Sequence, residues 1–277
     1  MMPDFIEILK VIILGIVEGI TEWLPVSSTG HMLLVDEFIK MNVSEEFKEL
    51  FFIVIQLGAI LAVVMIFWKK MWPFGFTDEK KPMVKKDIFS MWFKVVVACI
   101  PGAVVTILFD DFIEEHLHTP TVIAIALIFY GIAFIVIENW NKRREAKVAT
   151  LADITYKTAF IIGMFQVLSI IPGTSRSGAT IIGALIIGVS RVAAAEFTFF
   201  LAVPVMLGMS LLKILKIGLA FTSGELVILA VGTITAFVVS VIVIKFLMSY
   251  IKKKDFKLFG WYRIVLGALV LLYFALI

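Results

Sequence analysis

Two glutamates four residues apart open the stretch E18-G-I-T-E-W-L-P-V-S-S-T-G-H31, and two serines, a threonine and a histidine close it. The i, i+4 spacing puts Glu18 and Glu22 on one helical face. There they suit a hard divalent cation, Mg2+ or Ca2+, completed by phosphate oxygens and water. Ser27 and His31 are also four apart. If a helix starts at Ser27, the imidazole faces the hydroxyl and can take its proton, or that of a water. Further along, Pro172-Gly-Thr-Ser-Arg-Ser-Gly178 sets one guanidinium among small polar residues. Arg176 offers a planar fork suited to phosphate oxygens, with Gly173, Thr174, Ser175 and Ser177 around it. Together with Ser28 and Thr29, these residues read as a phosphate or diphosphate cradle.

The elements that must position them belong to a membrane. The 277 residues are 61% hydrophobic and 17% charged, with a mean hydropathy of +1.05. A soluble domain is about half apolar. Six stretches, near 50–68, 91–109, 121–138, 193–215, 225–248 and 260–277, are long and apolar enough to cross a bilayer. The fold class expected is all-α, a polytopic membrane protein, since no alternating strand pattern suggests a barrel. The N-terminus lacks the basic region and cleavage site of a removable signal. One cysteine, Cys99, excludes an intrachain disulfide. Lysines and arginines crowd 69–90, 139–157 and 249–259, whereas D110-D-F-I-E-E-H-L-H118 has none. Beside spans such runs are topology signals rather than nucleic-acid patches, which places those three loops in the cytoplasm and the C-terminus outside. The sequence expects 109–120 to be an external acidic loop, with His116 and His118 as surface residues.

Two apolar regions, 8–39 and 158–190, do not read as crossings. Each is a short apolar run, a Pro-containing break and a second short helix, that is, a re-entrant hairpin. Gly15 matches Gly163, Glu18 matches Gln166 and Pro25 matches Pro172. Ser27-Ser28 matches Thr174-Ser175 if one residue of slippage is allowed. The chain then forms one integral membrane domain of two repeats, about 8–138 and 158–277, each a hairpin followed by three spans. Three intervening spans make the second repeat inverted, an arrangement whose broken helices meet near the midplane. Pro25 and Pro172 are expected to end their helices. At least two of Ser27, Ser28, Thr174 and Ser175 should cap the next ones, and a helix N-terminus is itself an anion site. Glu18, Glu22, Arg176 and Glu196, if unpaired and dry, would cost on the order of 10 kcal/mol. Glu18 and Glu22 are therefore functional, a structural ion pair with Arg176, or snorkelling groups.

At these residues the sequence resembles the undecaprenyl-diphosphate phosphatase, or bacitracin-resistance, family. The matching stretches are 18–31, Pro172-Gly-Thr-Ser-Arg-Ser-Gly-Ala-Thr180 and Ala194-Ala-Glu-Phe-Thr-Phe-Phe-Leu-Ala-Val-Pro204. The resemblance extends over essentially the whole chain. It implies hydrolysis of undecaprenyl diphosphate to the monophosphate with a divalent cation, recycling a cell-wall lipid carrier in the bacterial plasma membrane and conferring bacitracin resistance. The family's important residues fall on Glu18, Glu22, Ser27, His31, Ser175 and Arg176; Trp23 stands where the family usually has Phe. The partners implied are the lipid substrate and the bilayer, with no nucleic acid, and a homodimer is left open. The rival from architecture is a secondary transporter or a flippase of polyprenyl phosphate, since inverted repeats and broken helices are common there.

Overall fold

The computed structural model of the chain describes residues 3–75, 84–117, 119–217 and 221–276, the side chains of 110–116 and 217 excepted. Among them are ten α-helices: α1 (Phe5–Thr21), α2 (Ser28–Phe38), α3 (Glu45–Met71), α4 (Lys86–Leu117), α5 (Pro120–Asn141), α6 (Tyr156–Val167), α7 (Arg176–Ile186), α8 (Arg191–Ile217), α9 (Ser223–Ile251) and α10 (Lys257–Leu276). Two isolated bridges, Phe74 with Val84 and Val148 with Val189, are the β-type pairings among the described residues. Six helices, α3, α4, α5, α8, α9 and α10, are long and apolar enough to cross a membrane. They contain the six stretches expected from hydropathy, apart from Ile277, which lies outside the described residues.

Local chemistry sets the boundaries. Ser44 caps α3, accepting from the Phe47 N–H at 3.2 Å. Glu45 and Glu46 follow in the first turn, and Lys69 and Lys70 occupy the last, each sign at the dipole end that favours it. At α9, Thr222 and Glu225 form a reciprocal capping box. One boundary differs from expectation. The acidic run after Phe109 is not a loop, because α4 continues through Leu117. Polarity ended the hydrophobic pattern there, but no Gly or Pro ends the helix until Pro120. His118 lies outside the described residues, as does the His116 side chain.

The two short-helix regions correspond closely. An offset of 148 positions carries Ser28–Phe38 onto Arg176–Ile186, both 11 residues long. The same offset carries Gly15 onto Gly163, each pressed against a long helix of the other half. A Cβ on Gly15 would lie 2.9 Å from the Gly232 carbonyl of α9. One on Gly163 would lie 2.8 Å from the Ala98 Cα of α4. Small residues of this kind let helix backbones approach where no hydrophobic drive separates protein from lipid. Helix α1 thus packs on α9 and α6 on α4, while α3 faces α8 and α5 faces α10. The breaks after α1 and α6 are held in the middle of this cross-packed bundle.

Candidate active site

Helix α1 ends at Thr21, with Glu22 as its C-cap, and α6 ends at Val167. Both stop short of the prolines expected to end them. A 3-10 turn, Leu168–Ile170, follows α6, and Ile171 is extended before Pro172, as the ring requires of its immediate neighbour. The new helices begin with matched caps. Ser27 has φ +74° and accepts from the Gly30 N–H at 3.3 Å; Ser175 has φ +72° and accepts from the Gly178 N–H at 3.2 Å. These are the two positive-φ non-glycine residues among the described residues. The serine equivalence is therefore Ser27 with Ser175, with no slippage, and Ser28 corresponds to Arg176. Sequence alignment on the prolines shifts this by one, because the prolines are not equivalent; the caps are.

The two breaks meet through Glu22. Arg176 donates from Nη2 to Glu22 Oε1 at 2.8 Å. Ser28 donates from Oγ to Glu22 Oε2 at 2.9 Å, and Ser177 donates to the Glu22 carbonyl at 3.3 Å. Arg176 Nη1 also reaches the Thr198 carbonyl at 3.3 Å. Glu18 lies one turn back, its carbonyl accepting from the Glu22 N–H at 3.0 Å. Its side chain is buried, and Oε1 has no hydrogen-bond partner among the described residues. Trp23 is fully buried, edge-on to Phe199 at 5.3 Å. Thr29 is exposed, and Ser28, His31, Ser175 and Arg176 are half-buried, so the junction presents one accessible polar face. Ser27 is only 1% exposed beneath it.

Three expectations change. First, His31 does not face the Ser27 hydroxyl. As the cap, Ser27 turns its hydroxyl onto the Gly30 N–H, and His31 Nδ1 donates instead to the Ser27 carbonyl at 2.7 Å. A carbonyl only accepts, so Nδ1 carries the proton, and the Nε2 lone pair receives the Tyr262 hydroxyl at 2.6 Å. Second, Glu196, counted above as costly if unpaired, has a partner: it pairs with Lys70 at 2.6 Å, at the end of α3 that carries the basic residues. Third, Gly173 serves the packing of the loop. It adopts φ +89°, and a Cβ there would lie 2.8 Å from the Ile123 Cα of α5. Thr174 beside it is fully buried and presents its carbonyl rather than an open hydroxyl.

The residue that sequence reasoning passed over is Arg263, on α10. It is fully buried and, among the described residues, has no carboxylate within 4.0 Å. Its guanidinium donates instead to carbonyls of both loops: Pro25 at 3.2 Å, Gly173 at 2.8 Å and Thr174 at 2.9 Å. One side chain thus sets the relative position of the two breaks. Its neighbour Tyr262 donates to Nε2 of the His31 tautomer that the Ser27 carbonyl fixes. Tyr262→Phe should lower kcat/KM for phosphate release about tenfold, less than the about 10²–10⁴-fold of a lost general acid–base group, because His31 itself remains. The acidic limb of the pH–rate profile should also move to higher pH, because the hydroxyl now donates to the lone pair that a proton would take. An unchanged profile would leave His31 outside the chemistry.

The chain as a whole is similar to known proteins. A family model described as bacitracin resistance protein BacA matches residues 11–269. The chain is 74% identical over 269 residues to an undecaprenyl-diphosphatase of Enterococcus faecalis, spanning 97% of this chain and 98% of that protein. It is 65% identical to an undecaprenyl-diphosphatase of Lachnoclostridium phytofermentans, over 99% of each chain. A third, from Desulfitobacterium hafniense, is 61% identical over 98% of this chain and 97% of its own length.

Proposed function

The chain belongs to the bacitracin-resistance protein BacA family, and on that premise we propose that the junction of its two breaks is where undecaprenyl diphosphate loses its terminal phosphate. The protein is a multi-pass membrane phosphatase. Undecaprenyl diphosphate and water become undecaprenyl phosphate and inorganic phosphate, which returns the lipid carrier to cell-wall synthesis. The observation that carries the site assignment is the Glu22–Arg176 pair, which joins the break after α1 to the break after α6 at 2.8 Å.

The residues divide the work by chemistry. Arg176, Ser28, Thr29, Ser175 and Ser177, with the first N–H groups of α2 and α7, bind the diphosphate oxygens and stabilise charge on them as the bridging bond breaks. Gly173 and Thr174 contribute through the shape of the loop. Ser27 and water are the two oxygens available for in-line attack. Ser27→Ala separates them: loss of turnover to background assigns the attack to the hydroxyl, and substantial residual turnover assigns it to water. His31, held as the Nδ1–H tautomer, offers Nε2 as proton acceptor once Tyr262 yields it.

A divalent cation, Mg2+ or Ca2+, fits beside Glu18 and Glu22. Glu18 supplies a buried carboxylate oxygen with no partner among the described residues, and Glu22 lies one turn away. Among the described residues no group of three His, Cys, Asp or Glu side chains could hold a metal ion. The remaining ligands would be phosphate oxygens and water. When bound, the ion supplies Lewis-acid stabilisation of the phosphoryl oxygens. Glu18→Gln should therefore raise the Mg2+ concentration needed for half-maximal activity while leaving thermal stability without metal nearly unchanged. An unaltered Mg2+ requirement would remove Glu18 from the metal site. Glu22→Gln behaves differently. It weakens a charged contact already made to Arg176, and should cost about 1–3 kcal/mol of stability as well as turnover.

The two regions of broken helix form inverted repeats in the bacterial plasma membrane, with the C-terminus outside. The basic segments and the matched caps support this reading. On a Cys99→Ser background, a membrane-impermeant maleimide added to intact cells should label Ser223→Cys and spare Lys253→Cys. The reverse pattern would invert the topology. The reaction itself is tested by inorganic phosphate release from undecaprenyl diphosphate with purified protein in detergent. Release dependent on divalent cation is expected; binding without release would favour a carrier of the lipid instead.

A further inference from the structure

The third stretch that carries the family resemblance, 194–204, lies on α8, outside both breaks. Thr198 stands in its middle, beside Phe197, Phe199 and Phe200, and none of the four is more than 1% exposed. The carbonyl and the hydroxyl of Thr198 both turn to α7. The carbonyl accepts from Arg176 Nη1 at 3.3 Å. The hydroxyl lies 2.8 Å from that of Thr180, itself fully buried. The proton count gives this bond a direction. Thr180 Oγ1 also reaches the carbonyls of Arg176 at 3.0 Å and Ser177 at 3.2 Å. Carbonyls only accept, so the single Thr180 proton is committed to them, and Thr198 donates to the Thr180 oxygen.

A threonine that bonds back to carbonyls three and four residues earlier slightly bends and loosens its own helix. Here that bond falls on the opening turn of α7, which begins at Arg176. The donation from Thr198 ties this turn to α8. The same stretch of α8 reaches the other break, because Phe199 packs on Trp23 at 5.3 Å and Trp23 directly follows Glu22. Residues 198 and 199 thus touch both sides of the Glu22–Arg176 pair. We infer that Thr198 is a positioning residue for phosphate release: its carbonyl aims the Arg176 fork, and its hydroxyl fixes the turn from which that fork extends. Being fully buried, it acts through Arg176 and not on the substrate. The inference rests on the assignment of Arg176 to the diphosphate.

Phosphate release from undecaprenyl diphosphate by purified variants in detergent, with melting measured beside it, tests the inference. Thr198→Val keeps the shape and removes the donor. Thr180 keeps its own donation to the carbonyls, so the variant should melt only slightly below wild type. Its kcat should fall about tenfold, short of the about 10²-fold that a 1 Å misplacement can cost. Thr198→Ser keeps the hydroxyl and should recover most of the rate. In an Arg176→Lys background the fork is already gone, so Thr198→Val should cost about twofold further at most, as for residues acting as a unit. Wild-type kcat in Arg176→Lys would overturn the diphosphate site itself, and this inference with it. With Arg176→Lys impaired, four results overturn the role of Thr198 and leave the site standing. These are wild-type kcat in Thr198→Val, melting of that variant far below wild type, a Thr198→Ser as slow as it, or the tenfold loss repeated in the Arg176→Lys background.

Discussion

Arg176→Ala is expected to lower kcat for phosphate release by about 10³-fold or more, the range seen when a guanidinium or an oxyanion donor is removed from a phosphoryl- or acyl-transfer site. The side chain spans two acceptors, Glu22 Oε1 at 2.8 Å and the Thr198 carbonyl at 3.3 Å. Its planar fork therefore already holds the orientation in which a phosphate could replace one of them. Arg176→Lys keeps the charge but cannot span both acceptors, so it should fall between alanine and wild type. The pair is largely buried, with side-chain exposures of 12% and 9%. Alanine also strands the Glu22 carboxylate, and stability should drop by about 3–5 kcal/mol, as for other broken buried pairs. Measuring kcat beside the melting temperature separates the two losses, since lysine should recover more of the stability than of the rate. Wild-type turnover in Arg176→Ala would exclude the break after α6 from the site.

Arg263→Met should be the most damaging single change to the fold of the site. Methionine fills comparable volume but supplies no donor, leaving the carbonyls of Pro25, Gly173 and Thr174 buried without their guanidinium partner. Each orphaned acceptor costs about 1–3 kcal/mol. The total is a large part of the about 5–15 kcal/mol by which a domain is stable. The variant should melt far below wild type in detergent and release little phosphate. Arg263→Lys, able to reach fewer of the three carbonyls, should be partly rescued in both. A Met variant with wild-type melting and activity would show that the two breaks hold their positions without α10.

The part of this site legible in the sequence was the part that broke a pattern. Carboxylates, prolines and Ser/Thr clusters interrupt hydrocarbon-soluble helix at 18–31 and 172–178, and the structure brings Glu22, Ser28, Arg176 and Ser177 from these stretches into contact. Arg263 and Tyr262 were not legible in the same way. Their span opens directly after the basic run at 249–259, where a cation reads as one more topology signal. The available clue was depth: Arg263 falls inside the apolar stretch 260–277, where an arginine is expensive without partners. The His31 geometry turned on whether Ser27 is the cap or the first helical residue, a difference of one position that periodicity does not resolve. The serine pairing failed for a similar reason, because prolines align by identity whereas helix starts align by backbone conformation.

That residues from both breaks act as one diphosphate site is the central claim, and a double-mutant cycle on kcat/KM tests it most directly. Ser28→Ala and Arg176→Lys each disturb one oxygen of Glu22, from opposite halves of the chain. Both should leave measurable phosphate release. If the halves form one site, the double variant should lose much less than the product of the two single losses, as residues acting as a unit do. Losses that simply multiply would mean that the two breaks contribute independently, and would contradict the account.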